Sequence, residues 1–81
     1  MKNANKIFRD NLLRYMKEAG MCDTELSQRL NFSRTAAHKY TSGKSMPSIT
    51  TMWMIAKVLG TTMDSLMDGY TEDEYYEGIK I

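Results

Sequence analysis

Arg34, Thr35, His38 and Lys39 bring a guanidinium, a hydroxyl, an imidazole and an ammonium into one short stretch of the chain. The guanidinium is a planar fork of donors and the ammonium a compact positive charge. The hydroxyl donates and accepts, and a free imidazole changes charge near pH of about 6.5. At roughly 100° per residue along a helix, these four side chains share one arc, while Ala36, Ala37 and Tyr40 share the other. A helix over residues 34–40 therefore has a small, close-packing back and a hydrogen-bonding front. Ser42, Gly43, Lys44 and Ser45 follow as a turn closed by the only proline, Pro47. Its backbone amides, with the Lys44 and Ser45 side chains, suit the gripping of a sugar-phosphate chain.

Other chemistries find little support. No nucleophile–base pair, phosphate-cradling glycine loop or pair of carboxylates in a cleft can be assembled, so an enzyme is not expected. Cys22, Asp23 and His38 lack metal-ligand spacing, and no metal, cofactor or small-molecule ligand is expected. The lone Cys22 excludes an intramolecular disulfide framework and fits a reducing cytoplasm. It reads as a substitute for a capping residue, with redox sensing as the sharper alternative.

The elements that must position this front are helical. Phe8, Leu12, Tyr15 and Met16 form one apolar stripe, which predicts a first helix from about Asn5 to Ala19, stopped by Gly20. A second helix starts at Cys22 or Asp23 and buries Leu26 and Leu30. Asn31 then supplies the left-handed turn. Ser33 caps the third helix, and Ser48 or Thr50 a fourth that runs to Leu59 with Ile49, Met52, Ile55, Ala56 and Leu59 as its core stripe. Gly60 ends it, and a short fifth helix, about Met63 to Met67, is capped by Thr62 and buries Met63 and Leu66. The expectation is an all-α protein, a five-helix bundle over 1–69 with the two-helix unit at 23–41. An acidic, aromatic tail at 70–81 is either a short dimerisation strand or disordered.

Composition supports this class. At 81 residues, 42% hydrophobic and 26% charged, the chain fits one small globular domain. No stretch reaches the roughly 18–20 apolar residues of a membrane span, and no secretory leader is expected. The net charge is only +1, but residues 1–48 hold nine Lys/Arg against four Asp/Glu, and residues 49–81 two against six. A basic face confined to the half with the two-helix unit is the footprint of phosphate binding.

Several motifs stand in one register. They are Glu25-Leu26-Ser27, Leu30-Asn31-Phe32-Ser33, Lys39-Tyr40, Ser42-Gly43-Lys44, Pro47-Ser48, Ile55-Ala56-Lys57 and Leu59-Gly60. The chain resembles, over roughly residues 8–67, the Xre-like helix-turn-helix family of phage Cro and lambda-type repressors. The resemblance implies a lambda-repressor-like DNA-binding bundle. It departs from the family at Ser27, where alanine is usual, at Asn31 (glycine) and at Ala37 (isoleucine or valine). At Asp23 the family often has glutamine, and at Thr41 glutamate. Ser27 is small enough for close helix contact, Asn31 can turn the chain, and Ala37 leaves volume for Phe32 or a methionine. Asp23 touches function, because the family's residue there often contacts a phosphate, which a carboxylate repels.

Arg34, Thr35, His38 and Lys39 are thus the candidate base-contacting residues, and Thr24, Ser33, Ser42, Gly43, Lys44 and Ser45 the candidate backbone-contacting ones. Trp53, Met54 and Val58 flank the core stripe of the fourth helix and leave an apolar strip. With Tyr75 and Tyr76, and with Tyr70 beside them, they are the candidate homodimer interface. The expected function is a transcription regulator, Cro-like or a small repressor of a phage or mobile element, on double-stranded operator DNA. The rival expectation is a protein-interaction module, an antitoxin or inhibitor partner acting through the fourth helix and tail.

Overall fold

The computed structural model describes residues 4–69, which form five helices and no strand. In chain order they are α1 (Ala4–Ala19), α2 (Asp23–Leu30), α3 (Arg34–Thr41), α4 (Ile49–Leu59) and α5 (Met63–Leu66). The tail expected at 70–81, with Tyr70, Tyr75 and Tyr76, lies outside the described residues.

Local chemistry sets most of the boundaries. The Ser33 hydroxyl accepts from the Ala36 amide at 3.1 Å, that of Ser48 from Thr51 at 3.2 Å and that of Thr62 from Ser65 at 3.1 Å. Each satisfies an amide that the first turn of a helix leaves without a partner. α2 differs: its N-cap is Cys22, whose side chain makes no capping bond, and Asp23 and Glu25 sit inside the first turn, where negative charge meets the positive end of the helix dipole. α2 ends on Asn31 at φ 56°, ψ 40°, the expected left-handed conformation.

Phe8, Leu12, Leu26, Ile55 and Leu66 are the largest fully buried side chains and come from every helix except α3. Each contributes roughly 1.5–3 kcal/mol on leaving water. α3 closes onto the bundle through the small Ala37 and the hydroxyl-bearing Thr41, both buried. Phe32 and Tyr40 flank this thin back, their ring centroids 6.3 Å apart, and both pack against the core. α3 rests on α1 and α2, the helices whose backbones approach it most closely.

Asn11 holds the ends of the domain together. Its side-chain amide donates to the carbonyls of Leu66, at 2.9 Å, and Asp68, at 2.8 Å. α5 is a single turn of helix, and these bonds from α1 fix its C-terminal end.

One expected core residue is elsewhere. Ile49 was placed in the α4 stripe, but it is 78% exposed. It is the first helical residue after the Ser48 cap, so it lies beyond the end of the core that Met52, Ile55 and Ala56 reach. Tyr15, Leu59 and Met63, also expected inside, are half-buried at the margin of the cluster.

Candidate nucleic-acid interface

The turn between α2 and α3 is built from backbone bonds: Phe32 donates to the Ser27 carbonyl at 2.8 Å and Asn31 to that of Gln28 at 3.2 Å. Ser27 is buried, and its hydroxyl donates to the Thr24 carbonyl at 2.7 Å, so its polar group is satisfied within α2. This two-helix unit fixes the direction of α3, and the buried Ala37 fixes its rotation. Arg34, Thr35, His38 and Lys39 consequently all point outward and are exposed.

Arg34, Thr35 and His38 share one shallow concavity with Asp23. The Asp23 carboxylate reaches across from α2: its Oδ2 accepts from the Thr41 hydroxyl at 3.1 Å and stands 3.4 Å from Nδ1 of His38. The residue expected to repel phosphate is therefore engaged with α3. Its contacts span 15 and 18 positions, and no local sequence signal announces them.

The turn after α3 differs from expectation in one respect. The amides of Ser42 and Gly43 donate to His38 and Tyr40 carbonyls, and those of Lys44 and Ser45 both donate to the Lys39 carbonyl. All four serve to end the helix, which leaves the side chains as the turn's offering to a ligand. Lys44 is exposed and Ser45 half-buried, while the Ser42 hydroxyl donates to the Lys39 carbonyl at 3.3 Å. Gly43 has φ +78°, and a Cβ there would meet Cδ of Arg9 at 3.1 Å. Arg9 is a residue that the sequence reading missed. Its aliphatic stem lies under this turn, and its guanidinium is paired with Asp10 at 2.8 Å. Of the other candidates, Thr24 is half-buried in the first turn of α2, and the exposed Ser33 is occupied as a cap.

The α4 candidates separate. Trp53 and its neighbour one turn away, Ile49, are both exposed, whereas Met54 and Val58 are half-buried against the core. Lys57 lies over the Trp53 ring at 5.2 Å, a cation–π contact. A groove beside it is lined by Trp53, Ala56, Lys57, Met63 and Asp64, with Thr61 and Thr62. Cys22 is exposed and unpaired. Among the described residues no group of three or more His, Cys, Asp or Glu is placed to hold a metal, and no helix is long and apolar enough to cross a membrane.

Five helices, with the second member of a tight helical pair bearing an exposed polar front, define a helix-turn-helix DNA-binding domain. The chain belongs to the helix-turn-helix family, of the Xre and lambda Cro-like kind, which it matches over residues 12–66. The match runs from Leu12 in α1 to the end of α5 and takes in the whole two-helix unit. The family is one of DNA-binding transcription regulators and is typically non-enzymatic. Comparison with curated proteins and with solved structures gave no match.

Proposed function

We propose that this chain is a sequence-specific transcription regulator that binds a two-fold symmetric operator as a homodimer, each copy laying α3 in a major groove. The observation that carries this reading is the front of α3, four polar side chains exposed on a helix whose back, Ala37, is fully buried. A helix about 10–12 Å wide fits a groove about 12 Å wide, with the first turn nearest the base edges. Arg34, in that turn, donates to O6 and N7 of a guanine. Thr35 meets a thymine methyl or donates its hydroxyl, and Lys39 reaches a base or a phosphate. Thr24, Ser33, Ser42, Lys44 and Ser45, with Arg9, hold the sugar-phosphate chain and set the register without reading sequence, and Gly43 lets the turn close over the Arg9 stem.

The second copy seats on the outer face of α4, through Ile49 and Trp53, with Met54 and Val58 behind them and Tyr75 and Tyr76 as further candidates. Two observations support this seat. Large apolar side chains are exposed one turn apart, and the groove beside them carries Lys57 and Asp64, opposite charges that a two-fold axis pairs reciprocally. Two α3 helices about 34 Å apart enter successive major grooves on one side of the duplex. A small Cro-like repressor, governed by its own concentration and by competition for the operator, fits this arrangement.

Binding-site selection on random duplexes tests the reading. A palindrome is expected, with affinity falling steeply as salt rises through counterion release. Arg34→Ala relaxes one base pair by roughly 1–3 kcal/mol, and Lys44→Ala weakens all sequences alike. If no duplex is enriched, the protein-interaction reading takes over. The exposed Ile49–Trp53 pair is the observation that favours it.

A further inference from the structure

We propose that Asp23 is a positioning residue of the reading head: it holds His38 so that the ring meets DNA as an imidazolium, and binding takes up one proton there. This inference rests on the DNA-binding reading above.

Asp23 is fixed before it touches His38. The buried Thr41 donates its hydroxyl to Oδ2 at 3.1 Å, which ties the carboxylate to the C-terminal end of α3. The same oxygen stands 3.4 Å from Nδ1 of His38, long for a hydrogen bond but close for two opposite charges. With Nδ1 turned toward Asp23, Nε2 faces away from the carboxylate on a side chain that is 66% exposed. In the neutral ring whose Nδ1 donates to Asp23, Nε2 is a lone pair. Guanine O6 and N7, thymine O4 and every phosphate oxygen are acceptors too, and all oppose that lone pair. The doubly protonated ring donates from Nε2 while Nδ1 stays on the carboxylate.

Charge argues the same way. With the ring neutral, Arg34 is the cation that lines the concavity with Asp23, whereas the imidazolium adds a second positive charge to the face that meets DNA. On its own helix His38 has Arg34 one turn before it and Lys39 beside it, both positive. From α2, Asp23 is the carboxylate that lines the concavity, while Glu25 is engaged with Arg29 at 3.4 Å. From α1, Arg9 is paired with Asp10. Asp23 thus offsets the repulsion between the imidazolium and its two cationic neighbours. A carboxylate where a phosphate contact is expected becomes intelligible as a device acting on His38. Phosphates near Nε2 favour the same proton, so by linkage affinity rises as pH falls.

The test uses the full chain and its selected duplex, at constant ionic strength, with anisotropy titrations from pH 8 to pH 6. The wild type is expected to tighten by about five- to tenfold, within the limit of tenfold per pH unit for one proton. His38→Gln, which keeps a neutral donor at an exposed position, is expected to give a flat profile. Asp23→Asn keeps an acceptor for Thr41 and removes the charge. It is expected to bind more tightly than wild type at pH 8 and to tighten less than wild type between pH 8 and pH 6, because the proton is then held more weakly both with and without DNA. Three results would overturn the proposal. They are tight binding that is constant from pH 8 to pH 6, a slope that survives His38→Gln, or an Asp23→Asn variant weakened by the same factor at every pH, as a purely structural role requires. Absence of binding to any duplex refutes the DNA reading itself and is recognisable as such.

Discussion

Replacing Asn11 is expected to loosen the attachment of α5 to α1. The side chain is buried at 8% exposure on the same face of α1 as Phe8 and Leu12, and both its amide hydrogens are used, on the Leu66 and Asp68 carbonyls. Asn11→Ala removes two donors and strands at least one acceptor in a buried place. A net hydrogen bond is worth about 1 kcal/mol and a stranded buried acceptor about 1–3 kcal/mol, so the loss is about 2–3 kcal/mol. For a domain of this size that lowers Tm by about 10–20 °C. Asn11→Asp is the sharper variant because shape is preserved while both donors become acceptors. A carboxylate aimed at two carbonyls is expected to lose more than about 3 kcal/mol. Urea unfolding followed by far-ultraviolet circular dichroism measures both, with the wild-type slope retained. A loss under about 0.5 kcal/mol in Asn11→Ala, or an Asn11→Asp variant no worse than Asn11→Ala, refutes the reasoning.

Other substitutions test the remaining parts. Gly43→Ala forces a Cβ into a left-handed conformation and against the Arg9 stem; it should lose about 1–2 kcal/mol of stability and weaken binding to every duplex together, read by melting and by salt-controlled titration. Ser33→Ala removes the α3 cap and should lower stability by about 1 kcal/mol in the same unfolding assay. Lys44→Ala should reduce the slope of log affinity against log salt by about 1 without changing the selected sequence. Ile49→Lys, at a position already 78% exposed, should leave monomer stability within about 0.5 kcal/mol and raise the dimer dissociation constant, measured by sedimentation; an unchanged constant removes α4 from the interface.

Most of the fold is legible along the chain because its punctuation is local. The Ser33, Ser48 and Thr62 caps act over three residues, and Asn31 and Gly60 end helices by their own backbone preferences, so each element can be read where it stands. The front of α3 is legible for the same reason, since Ala37 and Arg34 fall on opposite arcs of one short helix. What escapes is whatever depends on how far helices extend and on how they approach. Periodicity gives the angle of Ile49 about the α4 axis and says nothing about where the core stops along that axis. Asp23 looks like a plain phosphate repellent until α2 and α3 are brought together and its carboxylate meets Thr41 and His38. The Arg9 stem under Gly43 has no local signal at all. Asn11 had one, a polar residue on the face defined by Phe8, Leu12 and Tyr15, where a buried amide demands partners.

The two halves of this architecture differ in how far the chain must travel to make them. No side-chain hydrogen bond shaping the α2–α3 head spans more than 18 positions, whereas those of Asn11 span 55 and 57. Closing the longer loop adds about 1 kcal/mol of chain entropy relative to the shorter. The head is therefore expected to assemble early in folding, and α5 to dock onto α1 last. Variants at Asn11 should then accelerate unfolding and scarcely change the refolding rate, while Ser33→Ala should slow refolding. Opening of the α1–α5 latch leaves the head formed but uncovers the site of Leu66. The lifetime of the folded molecule is then expected to be set at its latch, which joins the two sequence ends of the domain on either side of the element that meets DNA.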